Sequence, residues 1–128
     1  MKLLIDTQIL IWYAESNPKL ANNLVQLISD SSNEVFLSIV SLWEITIKKS
    51  LGKLNFNLTL NEIESILLLN NFKILQFDVN DLQVLLELPY HHSDPFDKMI
   101  ISQAIRGDYQ LLSNDSKFKN YKLKLTLE

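Results

Sequence analysis

The chain has 128 residues, 47% hydrophobic and 21% charged, with a formal net charge of −3. This excludes a disordered segment and predicts one domain over residues 1–128, long enough to bury a sizeable core. The absence of cysteine excludes disulfides and thiolate metal sites, no apolar run approaches the ~20 residues of a membrane span, and a chain this acidic does not grip nucleic acid by bulk charge. A cytoplasmic protein is the expectation.

Lys2 to Ile5 reads as a short buried strand ending at Asp6 and Thr7. Gln8 to Ala14 reads as helical, Asn17 and Pro18 open a second helix to about Ser29, and 30–33 form a turn. A strand over Val35 to Ser38 precedes a helix from about Val40 to Leu51 that stops near Gly52. Leu60 to Leu69 is helical, with Thr59 or Asn61 as its start signal, and Phe72 to Phe77 reads as a third strand. Val79 to Leu86 is another helix. Over Pro95 to Arg106, Asp94 is the N-cap, Pro95 takes the first helical position and Gly107 lies just past the end. A fourth strand over Gln110 to Leu112 and a short fifth over Leu123 to Leu125 complete the pattern. Strands alternating with helices predict an α/β fold, a central parallel sheet of four to five short strands flanked by helices. Sites in such sheets lie beyond the carboxyl ends of the strands, where Asp6 and Asp115 fall.

Carboxylates are rarely buried without a partner, yet Asp6, Glu44, Asp94, Asp97 and Asp115 all sit in apolar surroundings of the sequence. Each has a plain reading. Asp6 and Asp115 suit a helix cap or turn, and Asp94 reads first as a cap. Asp97, three residues on, favours the helix dipole and mimics a capping box. Glu44 resists best. Its helix carries Val40, Leu42, Trp43, Ile45, Ile47 and Leu51, apolar nearly all round and therefore predicted to be largely buried. Ser41, Glu44 and Lys48 share one polar stripe, either an i,i+4 ion pair or a stripe aimed into a cleft. Carboxylates converging in one cleft repel one another unless a cation joins them, and an all-oxygen donor set suits Mg²⁺ or Mn²⁺.

These residues resemble PIN-domain nucleases, specifically the VapC-like toxins of type II toxin–antitoxin systems. Four segments carry the resemblance in family order: Leu3 to Thr7 with Trp12; Ser38 to Ile45; His92 to Met99 with Gln103 and Ala104; and Leu111 to Asp115 with Phe118 and Tyr121. Together they span about residues 2–125. The resemblance implies a single PIN-like domain and a metal-dependent ribonuclease that hydrolyses RNA phosphodiester bonds. Asp6, Glu44, Asp97 and Asp115 would be the catalytic acids holding Mg²⁺ or Mn²⁺, with Thr7, Ser41, Asp94 and Ser113 in support. It also implies a cognate antitoxin and a homodimer. Lys98 stands where Arg is frequent, a departure that leaves the four acids intact.

Around this core the sequence offers further candidates. His91 or His92 would touch substrate or metal, or simply be a loop residue. Lys48, Lys49 and Lys53, with Lys117, Lys119, Lys122 and Lys124, are either solvated surface or RNA phosphate contacts. Trp12, Tyr13 and Trp43 are base-stacking or packing residues. The rival functions are a non-catalytic interaction module and a Mg²⁺-binding receiver-like signalling domain. Against the receiver, Asp6 has no acidic neighbour and the strand ending at Ser38 is followed by no aspartate.

Overall fold

The computed structural model describes residues 1–91, 93–121 and 124–127. The strands are β1 (Lys2–Ile5), β2 (Glu34–Ser38), β3 (Lys73–Leu75), β4 (Gln110–Ser113) and β5 (Lys124–Leu127). The helices are α1 (Thr7–Ala14), α2 (Asn22–Ser29), α3 (Ile39–Ser50), α4 (Leu60–Leu69), α5 (Val79–Glu87) and α6 (Pro95–Gly107), with a 3₁₀ helix at Ser116–Asn120. The predicted α/β architecture holds. Among the described residues the five strands form one sheet in the order β3-β2-β1-β4-β5, and every pairing is parallel.

Strand periodicity divides the apolar side chains between two faces. Leu3, Ile5, Val35, Leu37 and Leu112 enter the larger core with Ile9 and Leu10 of α1, Leu24 and Ile28 of α2, Ile45 of α3, and Ile63 and Leu67 of α4. Leu4 and Leu111 point the other way, against Ile100, Ile101 and Ala104 of α6 and the rings of Tyr109 and Phe118. Burial on both faces explains why these strands read as continuous apolar runs rather than alternating ones.

From β1 the chain builds outward to β2 and β3, then returns to lay β4 on the other side of β1. The strand order therefore reverses between β1 and β4, and a crevice opens beyond their carboxyl ends. The Asp6 N–H donates to Leu112 O at 3.0 Å, tying the two strand ends together at this point. A receiver-like sheet runs 2-1-3-4-5 instead, so the topology removes that rival.

Three expectations need correction. Residues 17–21 are not helical. Ser16 takes a left-handed conformation (φ 52°), the Lys19 N–H donates to Asn17 Oδ1 at 2.9 Å, and α2 starts only after Ala21. The Asn side chain here stabilises a turn that competes with the helix. The third strand shrinks to Lys73–Leu75, because the Phe72 N–H closes the end of α4 on Leu67 O at 2.9 Å. The stop signal of α6 also moves by one residue. Gly107 is its last helical residue, and Asp108 takes the left-handed conformation (φ 56°).

Gly107 is small because of its neighbour. A Cβ there would stand 2.2 Å from Tyr109 Cε2. That ring is fixed by Phe36 edge-on at 5.0 Å and by Lys2 Nζ at 4.3 Å over its face. Helix propensity alone would favour alanine by ~1 kcal/mol, but overpacking a fixed ring costs ~1–3 kcal/mol. Gly107→Ala should therefore destabilise the chain in urea unfolding, and adding Tyr109→Leu should recover part of the loss.

Candidate functional site

Asp6 leaves the end of β1 and caps α1, its Oδ1 accepting from the Ile9 N–H at 2.8 Å. Its Oδ2 accepts a short hydrogen bond from Ser113 Oγ at the end of β4. The residue is only 5% exposed. Burial pushes its pKa up to about 6; the Ser113 and Ile9 bonds oppose the rise, and Asp115 and Glu44 add to it. The cap and site readings of Asp6 are therefore compatible, because one oxygen serves each.

Glu44 on α3 is 4% exposed. Thr7 Oγ1 lies 2.7 Å from its Oε1 and 2.9 Å from Ser41 Oγ, and Lys48 Nζ lies 2.6 Å from its Oε2. An ionised carboxylate can only accept, so the Thr7 proton turns toward it. The ion pair and the cleft readings of this stripe thus coexist. Thr7→Val would leave buried Oε1 without its donor and should cost ~1–3 kcal/mol in urea unfolding at pH 7.

The helix itself departs from expectation. Ser41, Glu44, Val40 and Ile45 are its buried residues, whereas Trp43 (57%), Ile47 (38%) and Leu51 (60%) are exposed. Its polar stripe faces inward and part of its apolar surface faces out.

Asp94 caps α6, accepting from the N–H groups of Phe96 (2.9 Å) and Asp97 (3.1 Å), with Pro95 in the first turn. Asp97 does not complete a capping box. Among the described residues no hydrogen bond is made to its carboxylate. Partial burial is the main reason its pKa rises to about 7, and repulsion from Asp94, Glu44, Asp6 and Asp115 follows. Asp115 caps the 3₁₀ helix through the Lys117 N–H (2.9 Å), and its own N–H donates to Ser113 Oγ (2.9 Å). Ser113 thus binds both Asp6 and Asp115.

These elements enclose a cleft of about 410 Å³ lined by Asp6, Thr7, Glu44, Lys48, Asp94, Asp97 and Asp115, with Gln8, Ile11, Ile45, Leu54, Asn114 and Ser116. All five singled-out acids meet there, and Ser41 and Ser113 bond to residues lining it. Lys48 is the one basic side chain in that lining among the described residues. Among the described residues, no three His, Asp or Glu side chains are gathered into a ready-made metal cage.

The outlying candidates whose side chains the structure describes do not line the cleft. His91 is exposed and stands edge-on to Tyr121 at 4.8 Å; His92 and Lys122, and the side chain of Lys124, lie outside the described residues. Lys117 and Lys119 are exposed, and Lys49 is spent on the carbonyls of Phe56 (2.7 Å) and Leu58 (3.0 Å). Trp12 and Tyr13 pack against the larger core, while exposed Trp43 meets Phe96 edge-on at 5.2 Å.

Two features have weak sequence signals. Leu54 lines the cleft from the aperiodic segment that Lys49 pins. The buried bond from Ser38 Oγ to Gln103 Oε1 (2.6 Å) joins the cap of α3 to α6. A glutamine inside the apolar run from Met99 to Ala104 was the only pointer to it.

A parallel α/β domain whose acids converge beyond its topological switch point is the class of protein that fold and site define. The PIN domain family model matches residues 3–124, and the chain belongs to that family. A sequence comparison with curated proteins gives no match. Among solved structures, the chain is similar to VapBC2 from Rickettsia felis bound to a DNA fragment from its promoter: 23% identity, TM-score 0.71, covering 99% of this chain and 98% of that one. DNA-bound VapBC from Salmonella typhimurium gives 16% identity and TM-score 0.69, covering 98% and 97%. FitAcB from Neisseria gonorrhoeae gives 17% and 0.64, covering 96% and 95%. At these identities the likeness establishes the fold. No helix among the described residues is long and apolar enough to cross a membrane.

Proposed function

We propose that this chain is a divalent-metal-dependent ribonuclease, the toxin of a toxin–antitoxin pair acting in the cytoplasm. The observation that carries the reading is the meeting of Asp6, Glu44, Asp94, Asp97 and Asp115 in one cleft, two of them with pKa values raised to about 6 and 7. Such crowding is unfavourable unless a cation relieves it. The donor chemistry fits Mg²⁺ or Mn²⁺, since every candidate ligand is a hard oxygen. Similarity to VapBC and FitAcB supports the toxin assignment and an antitoxin partner, and a homodimer is part of the same proposal.

In this reading Asp6 and Asp97 would be the main carboxylates holding the metal, with Glu44 and Asp115 as the further acids that would hold it. When bound there, Mg²⁺ or Mn²⁺ would supply activation of water and neutralisation of charge on the phosphodiester. The chain's own residues supply the orientation. Ser113 and the Ile9 N–H lock both oxygens of Asp6, and Thr7 fixes the rotamer of Glu44. Asp94 holds the first turn of α6, which carries Asp97.

Single-stranded RNA incubated with the purified chain should be cut with Mg²⁺ or Mn²⁺ and left intact with EDTA. Expression without an antitoxin should arrest growth, and Glu44→Gln should relieve the arrest. Cutting that persists in EDTA, or an Asp6→Ala variant as active as wild type, would sink the mechanism. The non-catalytic interaction module, in contrast, predicts no Mn²⁺ binding that depends on Asp6 and Asp97.

A further inference from the structure

An anionic RNA strand must enter a cleft lined by five carboxylates. A metal ion offsets part of that charge, but a phosphodiester has a second non-bridging oxygen to satisfy. Lys48 is the one basic side chain lining the cleft among the described residues. Its Nζ is 2.6 Å from Glu44 Oε2, and its side chain is still 44% exposed against 6% for Glu44.

This pair differs from an ordinary i,i+4 pair on a helix surface. Such pairs join two solvated groups and contribute only ~0.3–0.5 kcal/mol. Here the carboxylate is buried and its other oxygen is taken by Thr7, so the direction in which it holds the ammonium is fixed. An ammonium has three donors. Glu44 takes one, and Asp94 and Asp97, which line the same cleft, add attraction. Neighbouring lysines are committed elsewhere: Lys49 to two backbone carbonyls and Lys98 to the face of Tyr90, with Nζ 4.5 Å from the ring centroid.

Building on the ribonuclease reading, we infer that Lys48 is the phosphate-binding residue of the cleft, held by Glu44 so that its remaining donors meet a non-bridging oxygen of the RNA strand. Glu44 then acts as counter-ion to Lys48 as well as a member of the acid set. In the absence of RNA the ammonium offsets part of the repulsion among the acids, which makes it a competitor of the metal rather than a helper in binding it.

The test compares wild type, Lys48→Met, Lys48→Arg and Lys19→Met, the last an exposed lysine outside the cleft lining. Single-turnover cleavage of a single-stranded RNA at saturating Mn²⁺ is measured beside calorimetric Mn²⁺ titration without RNA. Lys48→Met should lose about 10–100-fold in kcat/KM, the range for a charged hydrogen bond, yet bind Mn²⁺ at least as tightly as wild type. Lys48→Arg should recover most of the activity and Lys19→Met should lose none. Wild-type cleavage matched by Lys48→Met overturns the role of Lys48 alone. Weakened Mn²⁺ binding in Lys48→Met also overturns it, since the lysine would then organise the acids. No cleavage by wild type overturns the ribonuclease reading, and this role with it.

Discussion

Asp97→Asn is expected to lower metal-dependent RNA cleavage about 10³-fold and, at pH 8, to raise the stability of the metal-free chain. The first effect follows from removing a metal carboxylate, worth several kcal/mol of transition-state charge stabilisation at ~1.4 kcal/mol per factor of ten. The second has the opposite sign to most substitutions, and it follows from electrostatics. The native Asp97 carboxyl has its pKa raised from 3.8 to about 7 by burial and by repulsion from the other acids. A group whose folded pKa lies above its unfolded value binds its proton more tightly in the native state. Native stability therefore falls as pH rises from about 4 to about 7 and stays low above that. Asparagine fills the same space without the charge. The gain should be near zero only at about pH 2.5, where Asp97 is protonated in both states, and reach ~1–3 kcal/mol at pH 8 after discounting for partial exposure. Thermal melts in EDTA across that range check it. A variant that loses activity together with stability at pH 8 would mean that the Asp97 carboxylate supports the fold, contrary to the crowding argument.

The sequence exposes the components of this site more readily than their orientation. Asp6, Asp94 and Asp115 follow strand ends or precede a helix, and their local signals (a compact apolar run, proline in the first turn) are short-range. Short-range signals survive in the sequence because the interactions behind them join residues two or three positions apart. Glu44 shows the limit. A helix with apolar residues on several sides reads as buried all round, yet Trp43 and Leu51 are exposed while Ser41 and Glu44 are enclosed. What encloses them is Thr7, thirty-seven positions from Glu44, together with Ile45 packing into the larger core. Hydrophobic periodicity identifies candidate faces, and tertiary neighbours decide between them.

The same reasoning accounts for the misplaced start of α2. Asn17 and Pro18 are as good at opening a helix as at making a turn. The left-handed Ser16 and buried Leu20 settle the choice by directing the chain away before Asn22. Gln103 bridges Ser38 across sixty-five positions, and its only local sign is a polar residue inside an apolar run, although it joins the two helices that carry Glu44 and Asp97.

Mn²⁺ is expected to stabilise the chain strongly at pH 8 and hardly at pH 5. Protons and metal compete for the same oxygens. With Asp6 titrating at about 6 and Asp97 at about 7, both carboxyls are largely ionised at pH 8. At pH 5 the metal must displace about one proton from each, which weakens apparent affinity about tenfold through Asp6 and about a hundredfold through Asp97. A Mn²⁺ concentration of about 100 times the pH 8 dissociation constant contributes ~2.7 kcal/mol of stability there. At pH 5 the same concentration falls to about one-tenth of the weakened constant and contributes almost nothing. Melting curves with Mn²⁺ and with EDTA at the two pH values measure this difference directly. In Asp6→Asn the pH 8 stabilisation should collapse. A Mn²⁺ effect that is equal at pH 5 and pH 8 would place the ion away from Asp6 and Asp97, on groups ionised throughout that range.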